Sequence, residues 1–182
     1  LPLHDALPIL LVFDLDPGAP AALPECCGVA LLIRDRLAND GLTSFPKTSG
    51  RKGMQLLCPV AGDQPADVVA GYARRIAEEL AAAVPKSITA KMAKQLRPGK
   101  VFIDWSQNNA AKTTVTPYSL RAWSVPTVSA PLTWAEVEAT ATGGAGATGA
   151  VRPFTSAEVL DRVQEYGDLL AGALEPGPPV PT

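Results

Sequence analysis

The stretch Leu10-Leu11-Val12-Phe13-Asp14-Leu15-Asp16-Pro17-Gly18 decides how this chain is read. A run of bulky apolar residues closed by a Pro-Gly turn signal predicts a buried β-strand over 10–14. Residues i and i+2 of a strand project from one face, about 7 Å apart. Asp14 and Asp16 therefore aim together from one strand end. Neighbouring carboxylates repel and resist desolvation unless a cation neutralises them, and hard oxygen donors suit Mg²⁺ or Mn²⁺. Such pairs also arise as helix caps or turn formers, so the pair alone leaves both readings open. A second apolar run, Val101-Phe102-Ile103-Asp104-Trp105, ends in the same way. Three carboxylates on adjacent strands can bridge two ions, which in two-metal sites sit about 3.5–4 Å apart.

Outward from that strand, Pro24 suits the first turn of a helix. Cys26, Val29, Ile33 and Leu37 follow at helical spacing, and Gly41 is a stop signal. A short extended piece over 42–46 leads into the loop Lys47-Thr48-Ser49-Gly50-Arg51-Lys52-Gly53, and 54–60 is the next strand. A helix is predicted from about Pro65 to Ala83, with Val69, Tyr72, Ile76 and Leu80 as its apolar stripe. Strand 101–105 and a loop over 106–112 come next. Residues 113–120 read as extended, with a break at Pro117. Thr133-Trp134-Ala135-Glu136 and Thr155-Ser156-Ala157-Glu158 are capping boxes, each starting a helix. The second is expected to continue through Val159, Val163, Tyr166 and Leu170. Between them, 140–150 is a Gly/Ala/Thr-rich stretch expected to be a mobile linker. Residues 173–182 form a Pro-rich tail or linker. The sum is an α/β (α+β) layer with helices packed on one sheet.

The 182 residues suffice for one domain with a real core. No uninterrupted apolar stretch approaches a membrane span, so a soluble, cytoplasmic protein without membrane partners is expected. The opening residues 1–9 resemble translated sequencing-adapter DNA joined to a truncated frame. They are expected to be foreign, with the natural front of the domain missing and the sheet short of strands; they carry neither the basic region nor the cleavage site of a secretion signal. His4 is the only histidine. Without it, Ser-His or Cys-His catalysis has no base, and a histidine-ligated zinc site is excluded. Cys26, Cys27 and Cys58 are odd in number, and two are adjacent, which points to reduced thiols packed as small hydrophobes.

Net charge is −2 and says nothing about nucleic acid. Local charge says more. Between Lys86 and Arg121 stand seven basic residues and a single acid, Asp104. A positive surface around candidate metal ligands suits a polyanionic substrate, and equally a solvated face. In Thr48-Ser49-Gly50-Arg51-Lys52-Gly53, two glycines let backbone N–H groups approach an anion, Ser49 adds a hydroxyl and Lys52 a charge. The alternative is an ordinary basic hairpin turn. Arg121 could grip a phosphate with its planar fork or lie on the surface. Trp105, Trp123 and Trp134 could stack bases, though packing is the commoner use.

Taken together, Val12 to Gly18, Thr48-Ser49-Gly50-x-Lys52-Gly53, Val101 to Asn108 and Lys112-Thr113-Thr114-x-x-Pro117-Tyr118-Ser119-Leu120-Arg121 resemble the polymerase domain of bacterial DNA ligase D. That family belongs to the archaeo-eukaryotic primase superfamily. The motifs come in the family's order and span nearly all of 10–172. The resemblance implies a primase-polymerase catalytic core with a mixed or antiparallel sheet flanked by helices. It implies template-directed nucleotidyl transfer at DNA ends in non-homologous end joining, with readiness to insert ribonucleotides. Asp14, Asp16 and Asp104 are then ligands of two Mn²⁺ or Mg²⁺ ions. Ser49, Gly50, Lys52, Gly53, Gln55 and Arg121 bind the incoming nucleoside triphosphate, and Arg97 and Lys112 contact DNA or phosphate. An ATP-dependent ligase domain, fused or separate, and an end-binding protein are the implied partners. Gln55 stands where the family commonly has His, and Trp123 where it often has a second Arg. Two rival readings are a haloacid-dehalogenase-like phosphatase with Asp14 as nucleophile, and an inactive DNA-end-binding fragment.

Overall fold

The computed structural model describes residues 9–109, 111–122 and 124–182. The expectations for residues 1–8 and for Trp123 lie outside these. Among the described residues the chain order is β1 (Leu10–Pro17), α1 (Leu23–Asn39), β2 (Phe45–Thr48), β3 (Met54–Pro59), α2 (Ala66–Ala83), β4 (Ile88–Thr89), β5 (Val101–Asp104), β6 (Leu120–Arg121), β7 (Thr127–Val128), α3 (Trp134–Gly143) and α4 (Ser156–Tyr166). Five strands form one mixed sheet in the order β2-β3-β1-β5-β4, with β1 at its centre. β1 runs antiparallel to β3 and β5, β2 antiparallel to β3, and β4 parallel to β5.

Alternation along β1 explains its central place. Leu11, Phe13 and Leu15 are fully buried and join Cys26, Ile33, Tyr72 and Ile76 of α1 and α2 in the main core. Burying each such large apolar side chain is worth about 1.5–3 kcal/mol. The opposite face is divided. Towards Leu10 it is covered by a smaller cluster of Val12, Leu57, Leu170 and Ala173. Towards Asp14 and Asp16 it is left open.

The three cysteines are buried and unbridged, as expected. Burial pushes the Cys27 and Cys58 thiols up to about 12 and the Cys26 thiol higher still. Trp105 and Trp134 pack against the core, and Trp134 Nε1 donates to the Ser44 carbonyl at 3.1 Å.

Several expectations need correction. β1 extends to Pro17, because Asp16 and Pro17 pair with Phe102 and Val101. Residues 113–119 form no strand. Pro117 has no N–H to donate, and Tyr118 turns through φ 64°, so only Leu120–Arg121 pairs, with Thr127–Val128. α4 ends at Tyr166, where Gly167 takes φ 69°; Leu170 lies beyond it, in the smaller cluster. Thr140 is no linker residue. It sits buried in α3, its hydroxyl donating to the Glu136 carbonyl and accepting from Val151 N, each at 2.7 Å. The Pro-rich tail is extended but docked. Val180 is buried, and its backbone N–H and C=O both bond the Gln64 side chain.

The segment after β7 seals the outer edge of β2. Thr48 N donates to Ala130 O at 2.8 Å and Leu132 N to Pro46 O at 3.0 Å. An exposed edge strand is thereby covered, and buried Ser129 is brought against the Lys47 side chain.

Candidate active site

Strand register builds the site. Lys47 is paired with Gln55 across β2 and β3, Gln55 with Asp14 across β3 and β1, and Asp14 with Asp104 across β1 and β5. Residues directly opposite in a ladder share a face. Four polar side chains thus form one row across four strands, and Asp16 adds a third carboxylate on the same face of β1.

Asp104 caps a short 3₁₀ turn, Trp105–Asn108. Its Oδ1 accepts from Ser106 N at 2.9 Å and Ser106 Oγ at 2.5 Å. Its Oδ2 faces Gln107 Nε2 and Lys112 Nζ, each at 3.3 Å. Asn108 fixes that turn to the sheet. Its side chain exchanges two hydrogen bonds with the backbone of Val12, both 2.8 Å, just where β5 has ended.

The carboxylates strain against one another. Burial, and then the charges of Asp16 and Asp104, push Asp14 up to about 7; a hydrogen bond from Gln55 and the charge of Lys47 pull the other way. Asp16 is also raised, first by burial and also by Asp104, against the lowering effect of Arg97. An oxygen-only donor set holding more negative charge than it can keep ionised is what a hard divalent cation relieves. The residues fit such an ion, with the Lys112 ammonium as the nearest cation standing on Asp104. Among the described residues, no group of three or more His, Cys, Asp or Glu side chains is gathered closely enough to hold an ion as it stands.

Over this row hangs the bend Ser49–Gly53, closed by Ser49 N donating to Gly53 O at 3.0 Å. Gly50 takes φ 73° and lies against the Arg121 side chain, so a Cβ there would collide with it. Gly53 lies against the Leu15 carbonyl, which leaves no room for a Cβ. Glycine is therefore required at both for different reasons, and the bend is tied to β1 and β6 together. Thr127 Oγ1 anchors it further by donating to Gly50 O.

A cleft of about 420 Å³ opens between bend and sheet. Of the residues the sequence singles out, Asp14, Asp16, Ser49, Lys52, Gly53, Gln55 and Arg121 line it. Asp104 lies beneath it, 9 % exposed, with Lys112 on its Oδ2. Gly50 turns towards Arg121 instead. Arg97 lies outside the lining: its guanidinium stacks 3.8 Å over the ring of Phe102, the cross-strand partner of Asp16. Gln107, Thr113, Val115 and Arg51 also line the cleft, and sequence reading assigned none of them. It also left Lys47 in a loop, whereas Lys47 is a fully buried strand residue. Only the register with Gln55 could have revealed its place.

Comparison with known proteins points to one family. The model of the LigD primase-polymerase domain matches residues 4–170. The multifunctional non-homologous end joining protein LigD of Mycolicibacterium smegmatis is 47 % identical over 161 residues, 88 % of this chain and 20 % of that protein. The bifunctional LigD of Bacillus subtilis is 32 % identical over 161 residues, 88 % of this chain and 25 % of that protein. The polymerase domain of Mycobacterium tuberculosis ligase D, solved with DNA, superposes with a TM-score of 0.82 at 44 % identity, covering 92 % of this chain and 55 % of that one. The chain thus spans about a fifth to a quarter of these curated relatives and about half of the solved domain. None of these findings favours the phosphatase reading. With its carboxylate row, its glycine-bound bend and these likenesses over nearly its whole length, the chain belongs to the LigD primase-polymerase domain family.

Proposed function

We propose that this chain carries the carboxylate and nucleotide-gripping part of a template-directed nucleotidyltransferase that extends or fills DNA ends during bacterial non-homologous end joining. The observation that carries the reading is the direct pairing of Asp14 with Asp104, with Asp16 beside them, under a cleft walled by Ser49, Lys52 and Arg121. Acids below and cations above suit a metal–triphosphate complex. The reaction is in-line attack of a primer 3′-oxygen on the α-phosphorus, with pyrophosphate leaving.

Asp14, Asp16 and Asp104 would hold two Mn²⁺ or Mg²⁺ ions. Such ions activate the attacking oxygen and stabilise charge on the leaving one. The chain's own groups do the rest. Backbone N–H groups of the bend, the Ser49 hydroxyl and Lys52 hold the triphosphate tail, and Arg121 adds a planar two-toothed contact. Gln55 offers an uncharged amide where a histidine could carry charge. Lys112 balances Asp104, and Arg97 balances Asp16, beside an incoming polyanion. Fixing both reactants in one cleft converts a bimolecular step into an effectively unimolecular one.

DNA ends are the proposed macromolecular substrate, with ribonucleotides accepted as well as deoxyribonucleotides. An ATP-dependent ligase domain and an end-binding protein are the proposed partners, acting at bacterial chromosomal breaks. Among the described residues, no helix is long and apolar enough to cross a membrane.

The test is primer extension by the intact natural protein with Mn²⁺ and nucleoside triphosphates. Extension abolished by Asp14→Ala and by Asp104→Ala supports the reading. Extension equal to the parent's in both variants ends it. DNA-end binding without any extension by the parent favours the inactive end-binding alternative.

A further inference from the structure

Lys47 is the one fully buried charged side chain among the described residues, and nothing in the proposed chemistry uses it. Its ammonium has three N–H donors. They meet Gln55 Oε1 at 2.5 Å, Ser129 Oγ at 2.7 Å and the Val115 carbonyl at 3.1 Å. Ser129 Oγ in turn donates to Thr48 O at 3.0 Å, so the lysine is locked between β2 and the segment that covers its edge.

The contact with Gln55 has a directional consequence. A primary amide has one acceptor end and one donor end. With Oε1 held by an ammonium, the NH₂ end must face away from Lys47; the flipped amide would set two donors against each other. Away from Lys47 along the row lies Asp14, the cross-strand partner of Gln55, so the NH₂ end is turned towards that carboxylate. Gln55 also lines the cleft. The buried charge therefore decides which end of a neutral amide the site presents.

We propose that Lys47 is a positioning residue: by holding Gln55 Oε1 it fixes the Gln55 NH₂ towards Asp14 and the cleft, so that Gln55 acts as a hydrogen-bond donor to the carboxylate and to an anionic phosphate ligand. This deepens the nucleotidyl-transfer reading and, for the ligand, rests on it. Without Lys47 nothing pins the amide oxygen, so the NH₂ donor is no longer held in one direction and must be ordered when the ligand binds.

The experiment is a double-mutant cycle on the full chain, read by binding of Mn²⁺–ATP. Lys47→Met and Gln55→Leu should each weaken binding about tenfold, the worth of one hydrogen bond to a charged group. The double variant should be no weaker than Gln55→Leu alone, because Lys47 acts through Gln55. Multiplying losses, about a hundredfold in the double variant, would overturn the proposal, as would a Lys47→Met variant that binds like the parent. Should Lys47→Met fail to fold, Gln55→Glu serves. It keeps an oxygen for Lys47 but replaces the NH₂ with a second oxygen, so it should lose nucleotide binding while staying folded. Binding retained or tightened in Gln55→Glu would show that the site uses an oxygen here, against the proposal. The Gln55 side-chain amide protons supply a readout that needs no nucleotide. In the ¹⁵N-labelled parent they should show nuclear Overhauser contacts to the Asp14 side chain, and their absence would overturn the orientation. A parent that shows those contacts yet binds no nucleotide would count against the functional reading alone.

Discussion

Asp14 on β1 and Asp104 on β5 are direct partners across an antiparallel pair, two like charges facing each other from neighbouring strands. Opposed like charges destabilise a ladder by about 0.2–1 kcal/mol relative to a neutral pair. A fold that keeps such a pair spends stability on function. Asp14→Asn should therefore raise the melting temperature of the protein in chelator by about 1–3 °C while abolishing Mn²⁺-dependent extension. A drop in melting temperature, measured by calorimetry in EDTA, would show that the pair is not under the tension described.

The pH dependence has a definite sign. Burial and the neighbouring carboxylates raise Asp14 to about 7, far above its unfolded value of 3.8. Between those pH values the folded state binds more protons than the unfolded state, so stability falls as pH rises. The contribution is complete below about pH 4 and lost above about pH 7. In EDTA the parent should lose stability across this window, and Asp14→Asn should lose less. Mn²⁺, which binds the ionised carboxylates, should raise the melting temperature more at pH 8 than at pH 5.5. Equal shifts at both pH values would contradict metal binding at Asp14.

Lys52 is exposed on the bend and lines the cleft without an assigned structural duty. Lys52→Ala should weaken nucleotide binding about tenfold, roughly 1.4 kcal/mol, with little change in unfolding free energy. DNA binding should fall much less. Titrations of labelled nucleotide and labelled duplex against the same variant separate the two, and equal losses would contradict its assignment to the triphosphate.

Asn108 sits in a motif that reads as functional, yet its contacts are architectural. Its side chain bonds Val12 N and Val12 O, and also the Trp105 carbonyl, at 2.8 Å each. Asn108→Ala would leave the backbone groups of Val12 unpaired in a largely buried setting, costing about 2–3 kcal/mol. Urea unfolding should report that loss. Nucleotide affinity of the remaining folded protein should change less than twofold.

Much of this fold could be read directly from local pattern. The apolar run at 10–15, the stripe Val69-Tyr72-Ile76 and the two Thr-x-x-Glu boxes each make their element through neighbours a few residues away. The candidate site was half legible for the same reason. Asp14 and Asp16 share a face by strand period alone, and Gly50 and Gly53 announce a bend that a side chain would block.

What needed the folded chain was everything set by register and edge closure. Lys47 reads as a loop lysine until β2 is slid against β3 and its ammonium is found under Gln55. Residues 113–119 look like a strand until Tyr118 is seen to turn through φ 64° and the outer edge of β2 to be taken by residues 130–132. A sheet places residues tens of positions apart side by side, and a one-residue slip would send each to the other face. Local sequence therefore settled which residue types were available at the strand ends and bends. Only long-range pairing decided that Lys47, Gln55, Asp14 and Asp104 stand in one row, because that choice is made by the burial of Leu11, Phe13 and Leu15 on the opposite side.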